Sequence, residues 1–233
     1  MRIAMVADLH GNYPAVEAIE RHIRTQNVDE IFCLGDLVGK GPSSDRTFDW
    51  AMANCSVILK GNWDDGVSER LFAFDAPYYA QLGERRMRAL RELPLEHVFF
   101  LGGLHIRLIH GRPVMPTLYR IFDERDTLLT LYNRPEGGRY DAVGYADSHN
   151  QGMRWLRDRL LFNTGSVGNS IGLTHAFYLV AQGGTEPDGE PLSLQFFHLP
   201  YDRAQAVRDA EAAPFIPRID TYINEIKTGV YSR

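Results

Sequence analysis

Five short stretches place metal-ligand residue types directly after an apolar run. They are Asp8 and His10 in "VADLHGN", Asp36 in "CLGDLVGKGP", Asn62 in "ILKGNWDD", His110 in "LIHGRP", and Asp147 with His149 in "VGYADSHNQ". Carboxylate, amide oxygen and imidazole are the donors that suit Mn, Fe or Zn, and no thiolate stands among them, which argues against a soft cysteine site. A single D-x-H or a lone His beside Gly occurs by chance in many proteins. The recurrence of the pattern at five run ends carries the reading.

These residues need elements that bring them to one place. The opening "RIAMVA" is a short continuous apolar run, as in a strand buried on both faces. From Pro14 to about Gln26, Ala15, Ile19 and Ile23 recur among charges, which predicts an amphipathic helix with Pro14 in its first turn. "EIFCLGD" and "SVILKGNWD" are the second and third strands, with helical "TFDWAMANC" between them. This βαβαβ order predicts a parallel sheet with right-handed crossovers, in which ligands bind at the carboxyl ends of the strands. Further on, Pro77 to Leu93 reads as a helix stopped by Pro94, "HVFFL" and "HIRLIHG" as a hairpin about Gly102–Gly103, and "DTLLTLYNRP" as a helix. "YDAVGYADSH", "RLLFNTGSVG", "HAFYLVAQ" and "LSLQFFHLP" are strand candidates, the last two a hairpin. Helices over Arg203–Ala212 and Ile219–Ile226 close the chain. No repeat or linker interrupts it, so one domain over 1–233 is expected.

Composition narrows the class. The chain has 233 residues, 44% hydrophobic and 24% charged, with net charge −5. That is an ordinary globular composition without a general basic surface, so nucleic acid is not indicated as a partner. "MRIAMVADLHG" lacks the pattern of a signal peptide, and no apolar stretch is long enough to span a bilayer. Cys33 and Cys55 do not make a disulfide framework, so a cytoplasmic location is expected.

Taken in order, "DLH", "GDLV", "GNWD", "IHG" and "ADSH" resemble the calcineurin-like metallophosphoesterase run D-x-H, G-D, G-N-H-[DE], H-G and G-H-x-H. "GDLVGKGP" and "FNTGSVG" are similar to its compact phosphodiesterase-like branch. The resemblance covers residues 2 to about 170 and implies an α/β, four-layer αββα sandwich with mixed sheets. It implies two divalent metal ions. Asp8, His10 and His149 would hold the first, Asp36 would bridge, and Asn62, His110 and Asp147 would hold the second. A pair of ions roughly 3.5–4 Å apart clamps a phosphoryl oxygen and activates a water as hydroxide. Asp36, Asn62 and Asp64 are the catalytic positions so implied. The expected substrate is a small phosphodiester or nucleotide-type ester. The alternatives are a metal- or nucleotide-binding regulatory module with weakened catalysis, and a phosphomonoesterase or protein phosphatase.

Two positions depart from the run. Trp63 stands where the family has a His that protonates the leaving oxygen or stabilises transition-state charge, and indole is only a donor. General acid catalysis is worth about 10²–10⁴-fold, so slow turnover, or a leaving group that needs no proton, is expected. Asp147 replaces the first His of G-H-x-H. With Asp8, Asp36 and Asp147 all anionic, the centre keeps one positive charge fewer, which favours Mn, with Fe and Zn as alternatives. Asn12, Lys40, Trp63 and Arg112 are the candidate substrate contacts. "FAFDAPYYAQ", "RPVMPTLYRIF" and "NQGMRW" are expected to form the rim.

Overall fold

The computed structural model describes residues 1–111 and 118–232. Its elements run β1 (Arg2–Val6), α1 (Tyr13–Ile23), β2 (Glu30–Cys33), α2 (Ser44–Asn54), β3 (Val57–Ile58), α3 (Asn62–Ser68), α4 (Ala76–Glu92), β4 (Glu96–Leu101), β5 (Leu104–Ile109), α5 (Arg125–Leu129), β6 (Ala142–Tyr145), β7 (Gly152–Leu156), β8 (Arg159–Asn163), β9 (Ala176–Gln182), β10 (Ser193–Leu199), α6 (Arg203–Glu211) and α7 (Ile219–Thr228).

Two five-stranded mixed sheets result, ordered β10-β9-β1-β2-β3 and β4-β5-β6-β8-β7. In the first, β1, β2 and β3 are parallel, with Val6 opposite Cys33 and Cys33 opposite Ile58. In the second, β5, β6 and β8 are parallel, flanked by antiparallel β4 and β7. Side chains alternate across a strand, and the layers follow from that alternation. Ile3, Met5, Phe32 and Leu34 meet Ile106, Leu108, Leu160 and Phe162 between the sheets. Ala4, Val6 and Cys33 face the other way, into a second core with Ile19, Phe48, Tyr78, Leu90 and Tyr222 from the helices. Val143, Tyr145 and Leu161 pack against Leu128, Leu131 and Tyr132 on the far side. The arrangement is the expected αββα sandwich, with a thin fourth layer made of α5 and the 3-10 turn Thr130–Tyr132. No helix among the described residues is long and apolar enough to cross a membrane.

Four local expectations are corrected. The third strand is only two residues long, although Leu59 still donates its N–H to Cys33 at 2.9 Å. The chain then turns at extended Gly61 into a helix over "NWDDGVS". "GMRWL" is not a loop but the edge strand β7. Met153 and Trp155 point outward and are about half exposed, so its alternation lacks a polar outer face. α4 is interrupted at Gly83, whose φ is 66°. "DTLLTLYNRP" divides into α5 and a 3-10 turn.

Candidate metal centre

The parallel strands β1 and β2 finish in register, so their following loops emerge side by side. Asp8 donates its N–H to the Gly35 carbonyl at 2.9 Å, and His10 to that of Asp36 at 3.2 Å. Asp8, His10, Asp36, Asp147 and His149 all sit in the left-handed region, with φ of 53°, 45°, 55°, 59° and 58°. Backbone strain of this kind costs of order 1–3 kcal/mol per residue and collects at functional sites. The packing allows no slack: a Cβ on Gly61 would lie 2.1 Å from Asp36 Oδ1.

Seven side chains converge there. Asp8 Oδ1 lies 3.9 Å from His10 Nε2, 3.9 Å from His110 Nε2 and 3.8 Å from His149 Nε2. Asp36 faces two ways, with Oδ2 3.5 Å from His10 Nε2 and Oδ1 3.5 Å from His110 Nε2. The Nε2 atoms of His10 and His149 are 3.1 Å apart. His110 Nε2 is 3.2 Å from Asn62 Oδ1 and 3.9 Å from Asp147 Oδ1. Asp8, His10 and His149 form one buried ligand group, and Asp8, Asp36 and His110 another. The sequence assigns Asp8 to one ion only, whereas the structure brings it into both groups.

The chemistry of this set fits divalent cations. Both oxygens of Asp8 are buried without a hydrogen-bond partner among the described residues. Such a carboxylate is costly unless a cation meets it. The three imidazoles turn Nδ1 toward main-chain carbonyls, of Val38 for His10, Leu34 for His110 and Asn169 for His149. A carbonyl only accepts, so Nδ1 carries the proton and the Nε2 lone pairs point at the cluster.

Without cations the cluster holds protons. Burial pushes the Asp8 carboxyl well above its usual range, and Asp36 and Asp147 add to it against the pull of His110 and Lys40. Burial lowers His110, but Asp36, Asp8 and Asp147 outweigh it and hold the imidazole well above its ordinary value. A metal must displace these protons, so affinity rises with pH and binding releases protons. Calorimetric metal titrations in two buffers of different ionisation enthalpy will give different apparent heats. Identical heats would mean that nothing is displaced.

Asp64 is expected at a catalytic position, and its geometry gives it a structural task. Oδ2 accepts the N–H groups of Asp36 (2.8 Å) and Gly61 (2.9 Å), and Oδ1 that of Leu37 (2.9 Å). Fully buried at the third position of α3, it clasps the Asp36 loop to the helix start. Burial and the neighbouring Asp36 push its carboxyl up to about 7, against the amides of Gly61 and Leu37. Asp64→Ala orphans three buried amides and lowers stability by about 3 kcal/mol. Chemical denaturation measures this, and a loss below about 1 kcal/mol would contradict the clasp.

Asn12 is likewise committed to the fold rather than to substrate. Its Oδ1 caps α1 at Ala15, and its Nδ2 donates to the Gly168 carbonyl at 2.8 Å. Lys40, a candidate substrate contact, is 4% exposed, donates to Asn169 Oδ1 at 2.8 Å, and reaches the cleft wall. Trp63 is wedged edge-on between His10 (centroids 5.9 Å) and Tyr78 (6.2 Å), while its N–H donates to Asp36 Oδ1 at 2.8 Å. Arg112 lies outside the described residues.

The ligand cluster opens into a cleft of about 790 Å³. The expected rim supplies Phe72, Phe74, Arg120 and Asn150. Sequence reasoning missed Pro217, Arg218 and Tyr231, which line the same cleft from the end of the chain. Arg218 has φ 58°, and no turn residue at that position signals it.

Comparison with known proteins agrees with this arrangement. The family model described as the calcineurin-like phosphoesterase superfamily domain matches residues 1–184. An uncharacterized protein of Methanocaldococcus jannaschii is 36% identical over 235 aligned positions, covering 88% of this chain and 89% of that protein. Among solved structures, a metallophosphoesterase from Sphaerobacter thermophilus aligns with TM-score 0.75 at 21% identity. A hypothetical protein from Pyrococcus horikoshii aligns with TM-score 0.79 at 19% identity. Each of these alignments covers 99% of both chains. These two likenesses attest the fold, and by the family match the chain belongs to the calcineurin-like phosphoesterase superfamily.

Proposed function

We propose that the protein hydrolyses a phosphodiester or nucleotide-type phosphate ester with two divalent ions, Mn before Fe or Zn. The observation that carries this is Asp8, whose two buried oxygens have no hydrogen-bond partner among the described residues and stand at the junction of two candidate ligand groups. Asp8, His10 and His149 hold the first ion in this reading, and Asn62, His110 and Asp147 the second. Asp36 lies between them, 3.5 Å from an imidazole on either side. When bound, such a pair supplies Lewis-acid activation of water and of a phosphoryl oxygen.

The chain's own groups do the rest. Backbone N–H groups fix the ligand carboxylates: Trp63 donates to Asp36, and the Asp64 clasp holds the loop beneath. Lys40, anchored by Asn169 beside His149, sets a cation on the cleft wall where a phosphoanion enters. Trp63 fills the side of the pocket next to His10 and offers no transferable proton. Asp147 adds a third carboxylate, so a monoanionic diester is attracted with less competition from repulsion than a dianionic monoester. Free Cys33 and Cys55 fit a reducing cytoplasm.

An activated aryl phosphodiester, an aryl monoester and a nucleotide panel, each assayed with Mn, test the reading. Diester turnover exceeding monoester turnover is expected. Trp63 favours a second reading, a metal-binding regulatory module, and metal binding with no turnover on any ester would select it.

A further inference from the structure

The cleft has a second wall whose make-up the ligand cluster does not explain. Phe72 and Phe74 are stacked, with centroids 5.4 Å apart and planes at 22°. Yet they are 45% and 51% exposed, and both line the cleft that also contains Asp36, Asn62, Asp147 and His149. Arg218 brings its guanidinium carbon 5.4 Å from the Phe74 centroid. This cation comes from a left-handed residue at the start of α7, beyond the 1–184 family match. Phe72 lies over α3 at Gly66, where an added Cβ would be 3.9 Å from its Cε2. Gly66 is four residues past Asn62, or about 6 Å along the helix. The aromatic wall therefore stands one helical turn from the candidate ligands, the place a sugar would carry a base attached to a phosphate held at the cluster.

We propose that Phe72, Phe74 and Arg218 form a subsite for the nucleobase of a nucleotide-type ester. The base packs against the exposed part of the stacked phenyl pair, and Arg218, whose guanidinium stands over the Phe74 ring, adds a cation and planar donors beside it. Stacking accepts any base, because every base has a π-face, so the subsite selects for a nucleobase without strict choice among bases. The inference rests on the phosphoesterase reading, since it places the phosphate at the cluster.

Calorimetry on the metal-loaded protein tests it with four probes: adenosine 5′-monophosphate, ribose 5-phosphate, phenyl phosphate and inorganic phosphate. The nucleotide should bind about tenfold more tightly than the sugar phosphate, as one stacked base contributes. Phe74→Ala and Arg218→Gln should each erase most of that ratio without changing the phosphate Kd, and Phe74→Tyr should retain it. Equal affinities for nucleotide and sugar phosphate would overturn the subsite and leave the phosphoesterase reading standing. Phenyl phosphate binding as tightly as the nucleotide would overturn the nucleobase assignment in favour of a simple aryl group. If none of the four binds, including inorganic phosphate, the subsite fails, and the phosphoesterase reading is decided separately by the diester assay.

Discussion

Asp36→Asn is expected to lower phosphoester turnover by at least about 100-fold, beyond the ~10–100-fold typical of losing an outer-shell partner. The metal-free variant should nevertheless be as stable as the parent, or more so. Asn tolerates the left-handed backbone that Asp36 adopts at φ 55°. Its Oδ1 can still accept the Trp63 N–H, while its Nδ2 replaces the oxygen 3.5 Å from the His10 Nε2 lone pair. One charge leaves a cluster that also buries Asp8 and Asp147, and the like-charge repulsion so relieved is expected to offset the lost attraction to His110. Function-bearing sites often hold such unrelieved destabilisation. Thermal scans with and without metal separate the two effects. At a free-ion concentration of about 100 times Kd the parent should gain about 2.7 kcal/mol, a Tm rise of roughly 5–10 °C for a chain of this size. The variant should lose that rise. An unchanged metal-induced shift would show that Asp36 does not bridge.

Trp63→His carries the second large effect. It restores a proton donor beside the cleft, and an acid in this role is worth about 10²–10⁴-fold. The gain should lie near 10², because Asp64 already accepts three backbone amides and keeps only one acceptor site with which to orient the new imidazole. It should appear with alkyl and nucleoside leaving groups and vanish with p-nitrophenolate, which departs unprotonated. The substitution also removes bulk that packs on His10 and Tyr78 and over Gly39, where an added Cβ would lie 2.1 Å from the indole. A stability loss of about 1–2 kcal/mol should accompany it, below the full cost of a buried Trp truncation because Trp63 is only half-buried. Equal rate changes for both leaving-group classes would mean that protonation does not limit the reaction.

The candidate ligands were legible because their positions follow from strand chemistry. An apolar run that must be buried ends where a parallel sheet ends, and the residues just past Val6, Cys33, Ile109 and Tyr145 are delivered to one edge. Roles set by tertiary closure were less legible. Asp64 and Asp65 are neighbours, yet one is buried and the other exposed. The spacing from Gly61 to Asp64 is the helix-start spacing in which an acidic third residue reaches back to the cap, and it held the signal for a structural role. Asn12 before Pro14 held the same kind of signal for a cap. Arg218 held none, since its place in the cleft depends on how α7 returns across the sandwich. β7 was hidden because its exposed face carries Met153 and Trp155 in place of polar residues.

In the proposed function, Asp8 and Asp36 join the two candidate ligand groups into a centre that works as a pair. Loading metal-free protein with Mn stepwise, while counting bound ions per chain by elemental analysis and following aryl phosphodiester turnover on the same samples, tests it most directly. Saturation at two ions per chain is expected, with turnover rising mainly as the second ion binds. Full turnover at one ion per chain, or no bound ion at any concentration that leaves the protein folded, would contradict it.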